Sequence, residues 1–172
     1  MSLATIFILQ LALGYIPWLF CFVTYFWPKL REMDRAEAHR AIAVLHAFRF
    51  FGLVFIIPGV VGSGLPGGFA KFAAYGDFAT GLLAILALSV MKVRPLFWLL
   101  VVAFNAVGAA DILVDYFHGI QLHLPELAGQ LGAAYVIPII YVPILMITHV
   151  AAFRLLLDNR PARARALGGV AD

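Results

Sequence analysis

Charge is what this sequence has least of. Only 12% of its 172 residues are Asp, Glu, Lys or Arg, against 64% hydrophobic, whereas a soluble domain carries about 25% charged residues. A soluble fold of this length cannot hide so much apolar surface, which leaves an integral membrane protein. Cysteine is nearly absent. Cys21 stands alone inside an apolar run, which excludes an intrachain disulfide and a thiolate metal cluster and fits a small packing residue. No Lys or Arg precedes Lys29, so the first segment lacks the basic n-region of a secretory signal and reads as a retained span. The sequence has no Cys-x-x-Cys pair, Gly-rich phosphate loop, Ser nucleophile elbow or His-rich box of the desaturase type. The last apolar segment has no deep Lys, so a retinal Schiff base has no candidate. The net charge of +3 implies no nucleic-acid partner, because the basic residues flank apolar segments.

Five apolar segments remain, each long enough to cross a hydrocarbon core at about 1.5 Å per residue. They run from Leu3 to Trp27, Ala41 to Val61, Phe69 to Met91, Pro95 to Phe117 and Leu131 to Leu157. The expected fold is an all-α, five-transmembrane-helix bundle: one domain over residues 1–158, then a basic cytoplasmic tail over 159–172. Ten of the twelve basic residues fall in the first connection, the third connection and the region at and after Arg154. The second and fourth connections have none. By the positive-inside rule the N-terminus is outside and the C-terminus cytoplasmic, in a cell membrane of the bacterial inner-membrane kind. Short second and third connections make the second, third and fourth helices sequential antiparallel neighbours. The charged run REMDRAEAHR before the second span reads as a solvated helical turn that continues that helix.

The informative residues are polar groups inside apolar runs, since these face the bundle interior and need partners. Measured from the basic ends of the segments, His46 lies about 7 Å deep, Arg49 about 12 Å, His149 about 10 Å and Asn105 about 15 Å. These four make an inner cluster. His39 shares an arc of the second helix with His46 and Arg49. Asp77 and Asp111 lie about 20 to 24 Å from the same face and make an outer cluster, with Asp115 and His118 following Asp111 at i+4 and i+7. Asp77 shares a face with Ala73, Gly81 and Ala84, small residues that allow close helix approach. On these depths Arg49 pairs with a carboxylate only if the helices are offset in its favour, and the outer acids have only Lys71 nearby.

Three functions compete for this pattern. The first is a pocket that binds, moves or modifies an apolar small molecule of lipid or isoprenoid type. In it Asp77 and Asp111 exchange a proton, and His46, Arg49, Asn105, Tyr141 and His149 bind the ligand. Kinks at Pro138 and Pro143 would open space near Tyr141. The second is a b-type haem electron carrier with His46 and His149 as axial ligands. The third is a structural subunit of a membrane complex, and an oligomer is open under each. A zinc site on Asp111, Asp115 and His118 is the weaker metal alternative.

Overall fold

A computed structural model describes residues 1–158 of the chain; the tail expected over 159–172, with Arg160, Arg163 and Arg165, lies outside the described residues. The described residues form an all-α bundle with no strand. Five helices are long and apolar enough to span a membrane: α1 (Leu3–Glu32), α2 (Arg35–Ile56), α3 (Gly67–Ser89), α4 (Arg94–Gln121) and α5 (Ile137–Leu157). Large apolar side chains such as Phe20, Leu99, Leu113 and Val150 are exposed on the outward faces, the inverse of a water-soluble protein. The molecule is an integral membrane protein.

Each helix carries local reasons for its shape. Ser2 caps α1 by accepting from the Thr5 amide at 3.1 Å. Pro28 has no amide hydrogen and its ring crowds the carbonyl four residues back, at Thr24. The helix answers with one widened π turn over Phe22–Phe26 and then continues. Pro143 is handled the same way, by a π turn over Ile137–Tyr141. The carbonyls around that second turn tilt outward. The Ile140 carbonyl accepts from the Trp18 indole at 2.8 Å, and Gly14 lets α1 close onto the Ile139 carbonyl, where any side chain would collide.

In α2, Asp34 accepts from the amides of Ala36 (2.7 Å) and Glu37 (3.1 Å), so the helix begins at Arg35, six residues before the apolar run. The charged segment is therefore not a wholly solvated turn, because Ala38 and His39 are fully buried. Beyond Ala47 the helix tightens to 3-10 geometry over Phe48–Ile56. The early start corrects the depth scale. Arg49 lies about 21 Å from the start of α2, Asp77 about 18 Å from Ser89, and Asp111 about 25 Å from Arg94. The guanidinium and both carboxylates occupy one layer.

Helix α3 packs between α2 and α4, in the antiparallel order expected from the short connections. Ala73, Asp77 and Ala84 are buried along it, and a side chain at Gly81 would press on the α2 backbone at the Phe50 amide. At one end of the bundle Arg35 donates to the Leu156 carbonyl at 2.9 Å and lies over Trp98, and Arg154 lies over Trp27. Those contacts gather the basic first connection, the start of α4 and the end of α5. At the other end the second and fourth connections clasp each other: Gly62 N donates to the Gln130 carbonyl at 2.7 Å and Ala133 N to the Val60 carbonyl at 3.1 Å. Residues Leu124–Tyr135 are 3-10 turns with a break at Gly132 (φ 52°), so the fifth span starts at Ile137, not Leu131. Leu124, Ala128 and Leu131 are buried, which makes this segment a packed cap on the bundle.

The interior has two apolar halves, one around Phe97, Val101, Phe104 and Ile42 near the basic end, the other around Phe7, Phe55, Phe69 and Leu131 beneath the cap. The polar layer lies between them. Gly14→Leu is expected to destabilise the bundle by about 1–3 kcal/mol through overpacking against the Ile139 carbonyl. Gly67→Ala, where an added Cβ meets nothing within 4 Å, should stay within about 0.5 kcal/mol. Thermal unfolding of the two variants in one detergent checks this.

Candidate functional site

Arg49 is 1% exposed, yet four of its donor hydrogens are taken up within the protein. Nε donates to Asp77 Oδ1 at 2.6 Å, and Nη2 to Asp111 Oδ2 at 2.6 Å. Nη1 donates to the Gly108 carbonyl at 3.1 Å and reaches His149 Nε2 at 3.2 Å. The fork geometry of arginine serves two carboxylates on two helices at once, which a lysine cannot do. Glycine at 108 is required, since a Cβ there would lie 2.6 Å from Arg49 Nη1 and from His149 Nε2.

The hydrogen-bond directions follow outward from groups whose role is fixed. The Val101 carbonyl can only accept, so Asn105 Nδ2 donates to it at 2.8 Å. Asn105 Oδ1 then accepts from His149 Nδ1 at 3.0 Å. With its hydrogen on Nδ1, neutral His149 presents the Nε2 lone pair to Arg49. Next to it, the Thr148 hydroxyl donates to the Ile144 and Leu145 carbonyls (2.8 and 2.9 Å), so His46 Nε2 donates to Thr148 Oγ1 at 3.0 Å. His46 Nδ1 and both ring nitrogens of His39 are buried without a partner among the described residues. His39 packs edge-on against Trp98.

The structure thus joins residues that the sequence separates into two clusters: Arg49, Asp77, Asn105, Asp111 and His149 form one network, with His46 beside it. Tyr141 makes no hydrogen bond to that network among the described residues; its hydroxyl donates to the Leu45 carbonyl at 3.1 Å. The haem alternative is corrected. Axial imidazoles must face each other across a macrocycle, but the rings of His46 and His149 lie in contact, their centroids 4.1 Å apart. Three of their four nitrogens are bonded elsewhere, so the pair does not fit the group. The zinc alternative fails similarly: Asp111 is committed to Arg49, and His118 packs its ring on Phe72.

Beside this network, under the cap, lies a cavity of about 390 Å³. Its walls are apolar, with Phe7, Phe55, Phe69, Ile112, Leu131 and Ile137 among them. Its polar lining is Arg49, Asp77, Asp115, Tyr15 and Tyr116. The two tyrosine hydroxyls are hydrogen-bonded to each other at 2.7 Å. Asp115 has neither a hydrogen bond nor an ion pair among the described residues, and its Oδ1 is buried. Sequence reasoning missed Thr148, Tyr15, Tyr116 and the Gly108 carbonyl. The tyrosines resemble interfacial belt residues, and a backbone carbonyl leaves no trace in composition.

The 2:1 ratio of carboxylates to guanidinium makes the single and double substitutions unequal. Asp77→Asn or Asp111→Asn leaves Arg49 one ionic partner and should cost about 1–2 kcal/mol. The double variant strands the guanidinium and should cost about 3–5 kcal/mol or prevent folding. Thermal stability of the three variants in detergent checks the order, and equal losses in all three would show that Arg49 is not held by both acids.

Neither a curated protein nor a solved structure matches this chain. Residues 6–157 match a family described as "Domain of unknown function (DUF8737)". That stretch contains the five spans but for the first three residues of α1, together with the buried network and the cavity, and the chain belongs to the DUF8737 family.

Proposed function

We propose that the chain is a membrane-embedded pocket protein that binds, moves or modifies an apolar small molecule of lipid or isoprenoid type. One observation carries this reading: an apolar-walled cavity ends on charged groups, Arg49, Asp77 and Asp115. Sites for small molecules are concave and mostly apolar, with a few placed polar groups. Ile8 and Ile120 are the exposed members of the lining. They belong to α1 and α4, so a ligand would arrive sideways from the bilayer between those helices. Arg49 is already engaged, so it organises the charged floor and does not grip a ligand head. Asp77 and Asp111 remain the candidates for proton exchange, because two carboxyl groups on one guanidinium need not both be ionised.

The basic end of the bundle is taken to face the cytoplasm of a bacterial inner membrane, with the N-terminus outside. In a variant lacking Cys21, cysteines at Ser63 and Gln121 should react with an impermeant thiol reagent added to intact cells, and one at Glu32 should not. The pocket is tested by mass spectrometry of lipids extracted from the purified protein. A stoichiometric apolar compound is expected, and Ile112→Trp should expel it while helicity and monodispersity are kept. A wild-type protein free of any bound compound, and unable to take one up, would sink the reading.

A further inference from the structure

We infer that the molecule held in this cavity carries an amine, received by the side chain of Asp115. The inference rests on the pocket reading and adds the chemistry of the ligand's polar end. Two carboxyl groups and one guanidinium line the floor, Asp77, Asp115 and Arg49, and a third carboxyl group, Asp111, stands behind them on Arg49. Arg49 spends four of its five donor hydrogens on Asp77, Asp111, Gly108 and His149, and its charge is already met by two carboxyl groups, so an anionic ligand head would face an excess of carboxylates. The other basic groups toward this end do not reach the floor. Lys71 is exposed, His118 packs on Phe72, and His123 pairs with Glu126 at the surface.

Asp115 is the member of the lining with capacity left over; Asp111 Oδ1 is also buried without a partner among the described residues, but Asp111 does not line the cavity. Asp115 lines the cavity and makes no hydrogen bond among the described residues. A buried acceptor without a partner costs free energy that a donor on the ligand would recover. A hydroxyl supplies one donor and no charge. An amine supplies up to three donors and the missing positive charge, and the attraction is strong where water is scarce. The proton balance closes without another reactant. A neutral amine arriving from the bilayer takes the proton of a neutral Asp115, giving an ammonium–carboxylate pair in place; if Asp115 is already ionised, an ammonium binds directly. The Tyr15–Tyr116 pair sits in the same lining and offers a hydroxyl oxygen for a second ammonium hydrogen.

The test uses the full chain in nanodiscs of phosphatidylcholine and three probes of one length: decylamine, decanol and decanoate. Binding is read by equilibrium dialysis after subtraction of empty discs. Decylamine is expected to bind at least about tenfold more tightly than decanol, the size of one charge-assisted hydrogen bond, and decanoate most weakly. Asp115→Asn should bring decylamine down to the decanol level with decanol unchanged. Decanol binding as well as decylamine, or a preference that survives Asp115→Asn, overturns the amine inference and leaves the pocket standing. If none of the three binds above empty discs, the pocket reading falls and the inference with it. If Asp115→Asn loses decanol as well, Asp115→Glu decides: a retained amine preference supports the inference, and equal binding of amine and alcohol overturns it.

Discussion

A single guanidinium sets the register of four helices. Arg49 stands on α2, and its acceptors come from α3 (Asp77), α4 (Asp111 and the Gly108 carbonyl) and α5 (His149). Lipid tails are as apolar as leucine, so burial of apolar surface gives helices in a membrane little reason to choose one mutual rotation over another. A buried cation does give them one. Slipping any of the four helices by one residue turns it about 100° and withdraws an acceptor. The cost of an unmatched charge in the interior is several kcal/mol, large beside the net stability of a small domain. The network thus contributes specificity more than stability, since an apolar residue of the same volume would avoid the desolvation cost.

The small residues and the irregular turns serve that layer. Gly52 makes room for the Asp77 carboxyl, Gly76 for that of Asp111, and Gly108 for the guanidinium itself. At each of these positions a methyl group would displace a charged atom. The two π turns keep proline in long helices by moving the carbonyls that proline would strike, and the Ile140 carbonyl, next to one of them, is the acceptor for Trp18. Beneath the cap, close packing gives way. The floor there presents carboxyl oxygens, and apolar side chains driven against them would leave polar atoms unsatisfied. A cavity with apolar walls and an acidic floor is a stable compromise if a guest supplies the missing donor.

The five spans, their alternation and the inward face of Asp77 were all readable in the sequence, because each rests on a repeated local signal: apolar length, basic flanks, or small residues at helical spacing. The site was half readable. Arg49, Asp77, Asn105, Asp111 and His149 stand out as polar groups in apolar runs, and all five meet. Their grouping was not readable, for one specific reason. The apolar run that marks the second span begins at Ala41, whereas Asp34 caps a helix that begins six residues earlier. That shifts Arg49 about 9 Å along the bundle, from the histidine level to the carboxylate level. The haem reading failed on the same kind of information: equal depth is visible in one dimension, but the 4.1 Å contact of the two rings depends on how helices turn toward each other.

The placement of Arg49's partners has a bearing on how the chain is made. The arginine is synthesised before Asp77, Asp111 and His149, and α2 and α3 are the two least hydropathic of the five spans. A ribosome-bound chain that released α2 alone into lipid would commit an unpaired cation to hydrocarbon. Released together as the hairpin their short connection permits, α2 and α3 carry the Arg49–Asp77 pair with them, and the charge is neutralised at the moment of insertion. The carboxylate on the very next helix is thus placed where biogenesis needs it soonest, and Asp111 and His149 complete the shell as later spans arrive.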